Sequence, residues 1–117
     1  MVYCSEHVSL AALEILVHTQ PVTIRDKFRV FRVSWDGKMM IAIDLKKLPK
    51  GWNAQPPSSV SKDFGDNWIR SGHSVVLAVL SVIVPAETTF LLNPKHQDFG
   101  KIKIKDTGSF HLDPRLR

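Results

Sequence analysis

The sequence predicts an α+β domain, and three observations predict it. At 117 residues the chain is sized for one domain. With 44% hydrophobic and 23% charged residues it can bury a core. Its local patterns, read in order, run strand, helix, two strands, a long loop, a helix and four strands, without the regular alternation of a parallel α/β sheet. Residues 1–117 are therefore taken as one domain.

Val2, Tyr3 and Cys4 read as a short strand arriving at Ser5, a good helix N-cap residue. Strong helix formers then run from Val8 to His18, and Pro21 stops the helix. This helix is apolar on nearly every side and needs cover all round, which suggests that covering strands upstream are absent. Phe28, Val30, Phe31, Val33 and Trp35 are the apolar members of a β-like run. Asp36-Gly37 follows as the turn pair of a hairpin, with residues 39–45 as the returning strand. Residues 46–61 hold three prolines and Gly51, a loop composition suited to a lid.

Phe64, Trp68 and Ile69 are spaced as one face of a short helix over residues 61–71, weakened by Gly65 and closed by Gly72. Residues 74–84 are dominated by Val, Leu and Ile, as a central strand covered on both faces would be. Thr88–Leu92 gives a further strand ended by Asn93-Pro94. Residues 101–105 alternate Lys and Ile, a strand with one solvated face, and residues 109–112 form the last strand before Pro114.

Composition removes several function classes. The longest uncharged run, residues 71–86, is too short and too polar to cross a bilayer. The single cysteine, Cys4, forbids an intrachain disulfide and favours a reducing compartment, so the cytoplasm is the expected location. The net charge of +5 is spread as +3 over residues 1–58 and +2 over residues 59–117, which disfavours direct nucleic-acid binding. The five histidines show no His-Glu-x-x-His pattern, and no metal site is expected. P-loop, dinucleotide-fingerprint and nucleophile-elbow patterns are all missing.

Among single residues the sharpest anomaly is Glu14, set among Leu10, Ala11 and Val17 on the first helix. Burying an unpaired carboxylate is costly, so its place demands a reason. Two readings stand open. Glu14 lies on a narrow solvated stripe with Ser9 and His18, or it is held at a cleft to stabilise developing positive charge. Tyr3 reads as a core or rim aromatic or as a stacking platform for a ligand. Ser81, inside an aliphatic segment, reads as a satisfied small residue or as a hydroxyl facing a pocket.

Six strings in a fixed order resemble those of the RES-domain toxins, bacterial proteins paired with Xre-type antitoxins. They are Val2-Tyr3-Cys4-Ser5-Glu6 running into Ala12-Leu13-Glu14-Ile15-Leu16-Val17-His18, then Leu48-Pro49-Lys50-Gly51-Trp52, then Gly65-Asp66-Asn67-Trp68. Ser81-Val82-Ile83-Val84-Pro85, Leu91-Leu92-Asn93-Pro94-Lys95-His96 and Asp113-Pro114-Arg115-Leu116 complete the set. The resemblance implies an ADP-ribosyltransferase-like fold of mostly antiparallel sheets with few helices, its first strands missing here. It implies degradation of NAD by cleavage of the nicotinamide–ribose bond, through phosphorolysis with phosphate as co-substrate or through hydrolysis. No cofactor is expected beyond NAD as substrate. An Xre-type antitoxin is the expected partner, and a homo-oligomer is compatible with the family.

By the same resemblance, Glu14 and Ser81 occupy catalytic positions and Tyr3 a ligand-binding one. The family arginine belongs to a Gly-Gly-Arg-Trp-Asn stretch that precedes the tyrosine and has no counterpart in this chain. The alternative expectation is thus an inactive, truncated remnant that only binds an antitoxin. Leu80, Thr89 and Gln97 stand where proline, asparagine and proline are usual, smaller departures than the arginine.

Overall fold

A computed structural model describes residues 1–18, 28–43, 50 and 59–116 of the chain. Pro21 and the expected lid at residues 46–61 lie wholly or mostly outside the described residues. The string from Leu48 to Trp52 does too, except for Lys50. The architecture is α+β, with two helices and two sheets among the described residues. No described helix is long and apolar enough to cross a membrane.

The larger sheet contains β1 (Val2–Ser5), β3 (Met40–Ala42), β4 (Val76–Leu80) and β5 (Thr88–Leu92), in the order β1-β5-β4-β3. Its pairings are antiparallel except for β3 with β4. A smaller antiparallel ribbon joins β2 (Phe28–Ser34) to β6 (Lys103–Phe110). The helices are α1 (Val8–His18) and α2 (Ser59–Ser71).

Residues opposite one another in the register share a face, which assigns the core directly. Leu77 and Leu91 face α2, where Trp68 completes a buried cluster with Phe64 and Ile69 beside it. Val76 and Leu92 face the other way, toward the ribbon, and pack with Val33, Trp35 and Ile102. Trp35 meets Phe90 edge to face with ring centroids 5.0 Å apart. The order of layers is helix, four-stranded sheet, ribbon.

Five elements differ from the sequence expectation. Asp36-Gly37 does not close a hairpin. Gly37–Met39 is a turn of 3-10 helix whose start is capped by the Asp36 carboxylate accepting from Lys38 N–H, and it passes the chain from the ribbon into the larger sheet. The partner of β2 is β6, far along the sequence, so local turn chemistry does not select it. Residues 101–105 and 109–112 are not two strands. They contribute to one, β6, whose register shifts opposite Val30 and Phe31, leaving Thr107 as the extra residue of a bulge. Gly108 follows at φ +119°, a conformation that L side chains rarely adopt.

The helix α2 begins earlier than expected and runs through Gly65, where a Cβ would stand 3.0 Å from the Met1 methyl. The strand expected over residues 74–84 is shorter, ending at Leu80, but it is an interior strand as expected. Finally, α1 is not covered all round. Leu10 is buried, while Val8, Leu13 and Val17 are exposed.

Two expected outcomes follow from this packing. Trp68→Ala removes the largest side chain beneath α2 and the Nε1–H bond to Ser74 Oγ, 3.0 Å long, and is expected to cost about 3–5 kcal/mol by urea unfolding. In the ribbon, a hydrogen bond from Arg29, with a second from Gly108 N–H, holds the exposed Asp106 carboxyl below the usual carboxylate range. A lowered folded-state value contributes stability above the unfolded value of about 3.9 and loses it as pH falls through the folded value. The stability gap between Asp106→Asn and the parent chain is therefore expected to narrow as urea titrations are moved from neutral to strongly acidic pH.

Candidate functional site

The pairing of the larger sheet brings Ser81 and the β1–α1 connection to one of its ends, whereas Tyr3, opposite Leu91, lies toward the other, and Glu14 stands on α1. Ser5 lies opposite Thr89 and Leu80 opposite Thr88, so the end of β1, the end of β4 and the start of β5 coincide. The chain leaves β1 through Glu6 and His7 into α1, and leaves β4 at Ser81.

Tyr3 stands opposite Leu91 on the face that α2 covers, but at the sheet edge, and 69% of it is exposed. It is a rim aromatic, available to stack. Glu14 lies one turn beyond the buried Leu10 on the same helix face, with its side chain one-third exposed. Its Oε2 is 3.3 Å from Nε2 of His18, an i,i+4 pair. The carboxylate is anchored at the boundary between core and solvent rather than buried among aliphatics.

Ser81 is 1% exposed. Its Oγ accepts from Ile83 N–H at 3.1 Å and Val84 N–H at 3.0 Å, while its own N–H donates to the Glu87 carbonyl at 2.9 Å. A hydroxyl has two acceptor lone pairs and one donor, so the turn uses both acceptors and leaves only the proton for another partner. Among the described residues no hydrogen bond or ion pair joins Tyr3, Glu14 and Ser81 to one another.

A cleft of about 420 Å³ lies at the far end of β5, between the end of α2 and the loop after Leu92. None of the three residues lines it. Its wall explains the string from Leu91 to His96. Buried Asn93 donates from Nδ2 to the Ile69 carbonyl at 3.3 Å and accepts from Lys95 N–H at 3.0 Å. His96 Nδ1 accepts from Asp98 N–H, which puts the proton on Nε2, 3.0 Å from the Gly72 carbonyl. These bonds tie the β5 exit to α2.

Sequence reasoning passed over Glu6, His7 and Glu87, which meet at the Ser81 end with one potential ligand atom each, all within 4.8 Å of one another. Glu6-His7 and Glu87 are distant along the chain, and only the β1–β5 register brings them together. No spacing signal could have revealed the group.

An α+β chain with these strings in this order matches the RES domain model over residues 1–113, and the protein belongs to the RES domain family. The ADP-ribosyltransferase-like class that the resemblance implied comes with that membership. The chain is 33% identical to a protein named Toxin Res from Yersinia enterocolitica, over 99% of this chain and 77% of that one. It is 36% identical to a Toxin Res from Photorhabdus laumondii, over 98% of this chain and 74% of that one. A protein named Prs ADP-ribosylating toxin, from a Sphingobium species, is 33% identical over 99% of this chain and 74% of its own length.

Ser81→Ala leaves the N–H groups of Ile83 and Val84 without their acceptor. It is expected to destabilise the fold by about 1–3 kcal/mol, read as a lower urea midpoint.

Proposed function

We propose that the protein is an NAD-degrading toxin of a type II toxin–antitoxin system, cleaving the nicotinamide–ribose bond by phosphorolysis or hydrolysis. The observation that carries this reading is the placement of Glu14, a carboxylate held by its helix at the boundary between core and solvent beside the exposed His18. The names of the relatives support it: two are called Toxin Res and one an ADP-ribosylating toxin. ADP-ribosylation breaks the same bond.

In that reaction the C–N bond to nicotinamide breaks, its electron pair goes to the ring nitrogen, and neutral nicotinamide leaves. The ribose passes through an oxocarbenium-like state, and a phosphate or water oxygen forms the new C–O bond, with water's proton passing to solvent. Glu14 would lie against the ribose and stabilise the cation as it develops. Tyr3 would stack on an aromatic ring of the ligand. Ser81 would contribute the proton its turn leaves free. No bound cofactor enters this scheme.

The exposed apolar side chains Val2, Val8, Leu13 and Val17 favour a protein partner, an Xre-type antitoxin or a second copy of the chain. They equally suit the second reading, a chain that binds the antitoxin without turning over NAD. Action on cytoplasmic NAD places the protein in that compartment.

The two readings part in one assay. Incubated with NAD and phosphate, the parent chain is expected to release nicotinamide, and Glu14→Gln to do so about 10²–10³ times more slowly, the loss typical of removing one preorganised electrostatic group. Equal release from both would remove Glu14 from the mechanism. No release from either, together with co-elution with the antitoxin, would favour the binding role.

A further inference from the structure

We propose that Glu6, His7 and Glu87 form a divalent-metal site of the zinc class at the junction of β1, α1 and β5. The site stands on its own chemistry and does not depend on NAD cleavage.

Geometry supplies the first part of the case. Glu6 N–H donates to the Thr88 carbonyl at 3.1 Å and Thr88 N–H donates to Glu6 Oε2 at 2.7 Å, extending the β1–β5 ladder by one residue. That second bond leaves Oε1 of Glu6 turned toward His7, whose Nε2 is 3.8 Å away. Glu87, next to Thr88, is held by its N–H to the Val84 carbonyl at 2.8 Å and by its carbonyl accepting from Ser81. The Glu6 carboxylate is thus oriented by a backbone N–H, as outer-shell partners orient metal ligands, and the Glu87 main chain is held from both sides. One atom from each of the three residues lies within 4.8 Å of the others.

The second part is a deficit. Oε1 of Glu87 is enclosed, with under 1 Å² exposed, and has no hydrogen-bond partner among the described residues. A buried carboxylate oxygen calls for a donor or a cation. His7 does not serve as one, since its ring is exposed and ion-paired loosely with Glu6. The first turn of α1 favours anions nearby but sends no N–H to that oxygen.

Donor chemistry then selects the ion. One imidazole nitrogen and two carboxylate oxygens suit a three-ligand zinc site with an open fourth position, whereas calcium takes six to eight oxygens. Tetrahedral zinc with bonds of about 2.0–2.1 Å sets its ligands roughly 3.4 Å apart. The group must contract by roughly an ångström, a movement the exposed side chains of Glu6 and His7 make by rotation.

The test is calorimetric titration of the full chain with zinc chloride, and with manganese chloride in a second arm. The expected result is one equivalent of zinc bound saturably, manganese binding more weakly, and a zinc affinity at least tenfold lower in both His7→Ala and Glu87→Gln. Substituting the exposed His111 by Ala is expected to change nothing. The parent chain's melting temperature is expected to rise with zinc, and that of Glu87→Gln to stay put. Should either variant lose the parent circular-dichroism spectrum, Glu6→Gln, whose amide oxygen still accepts from Thr88, carries the same comparison. Absence of saturable binding, survival of binding in the substituted chains, or tighter manganese than zinc would overturn the proposal.

Discussion

Burial of β4 on both faces is the constraint on which the remaining structure depends. Val76, Leu77 and Ala78 are all buried, so α2 must lie on one side and the β2–β6 ribbon on the other. A strand so enclosed must also satisfy its backbone on both edges, which β3 and β5 do. Once β5 is paired with β4, its two ends become the two places where distant polar side chains meet. The start of β5 brings Glu87 and Thr88 to Glu6 and to Ser81. The finish brings Asn93 and His96 to α2.

Much of this was legible in the chain because much of it is local. The apolar run at residues 74–84 signalled a doubly covered strand, and helix formers between Ser5 and His18 set the bounds of α1. What was not legible depends on pairing between distant segments. Phe28–Ser34 carries a strand pattern followed by a turn pair, and every local cue argued for a hairpin. Its true partner begins at Lys103, and nothing near Asp36 encodes that choice. The same long-range register hid the Glu6, His7 and Glu87 group.

Glu14 illustrates the limit of periodicity in a different way. A helix with apolar residues on all sides implied a carboxylate forced into the interior. The helix instead leaves Val8, Leu13 and Val17 exposed, so the side containing Glu14 is a boundary and not a core. A stripe shared with Ser9 and His18 was one of the two readings the sequence left open, and the structure adds the pairing with His18. That pairing is compatible with a role in binding, because an i,i+4 partner on an exposed surface contributes little energy and yields readily to a ligand.

The strings that carry the family resemblance divide by what their side chains touch. Trp68 seals the core beneath α2 and bonds to Ser74, Ser81 folds a turn with both its lone pairs, and Asn93 and His96 tie β5 to α2. Ser81, Asn93 and His96 satisfy backbone groups of the turns they sit in and Trp68 satisfies its indole N–H on the buried Ser74 hydroxyl, so each serves the fold before any ligand arrives. Tyr3 and Glu14 are different, since among the described residues the exposed ring of Tyr3 does no such service and the pairing of Glu14 is with the His18 side chain. Resemblance in the first group therefore speaks for the architecture, and resemblance in the second is not accounted for by these packing roles. The proposed NAD chemistry thus leans on those two side chains more than on the longer and more conspicuous motifs.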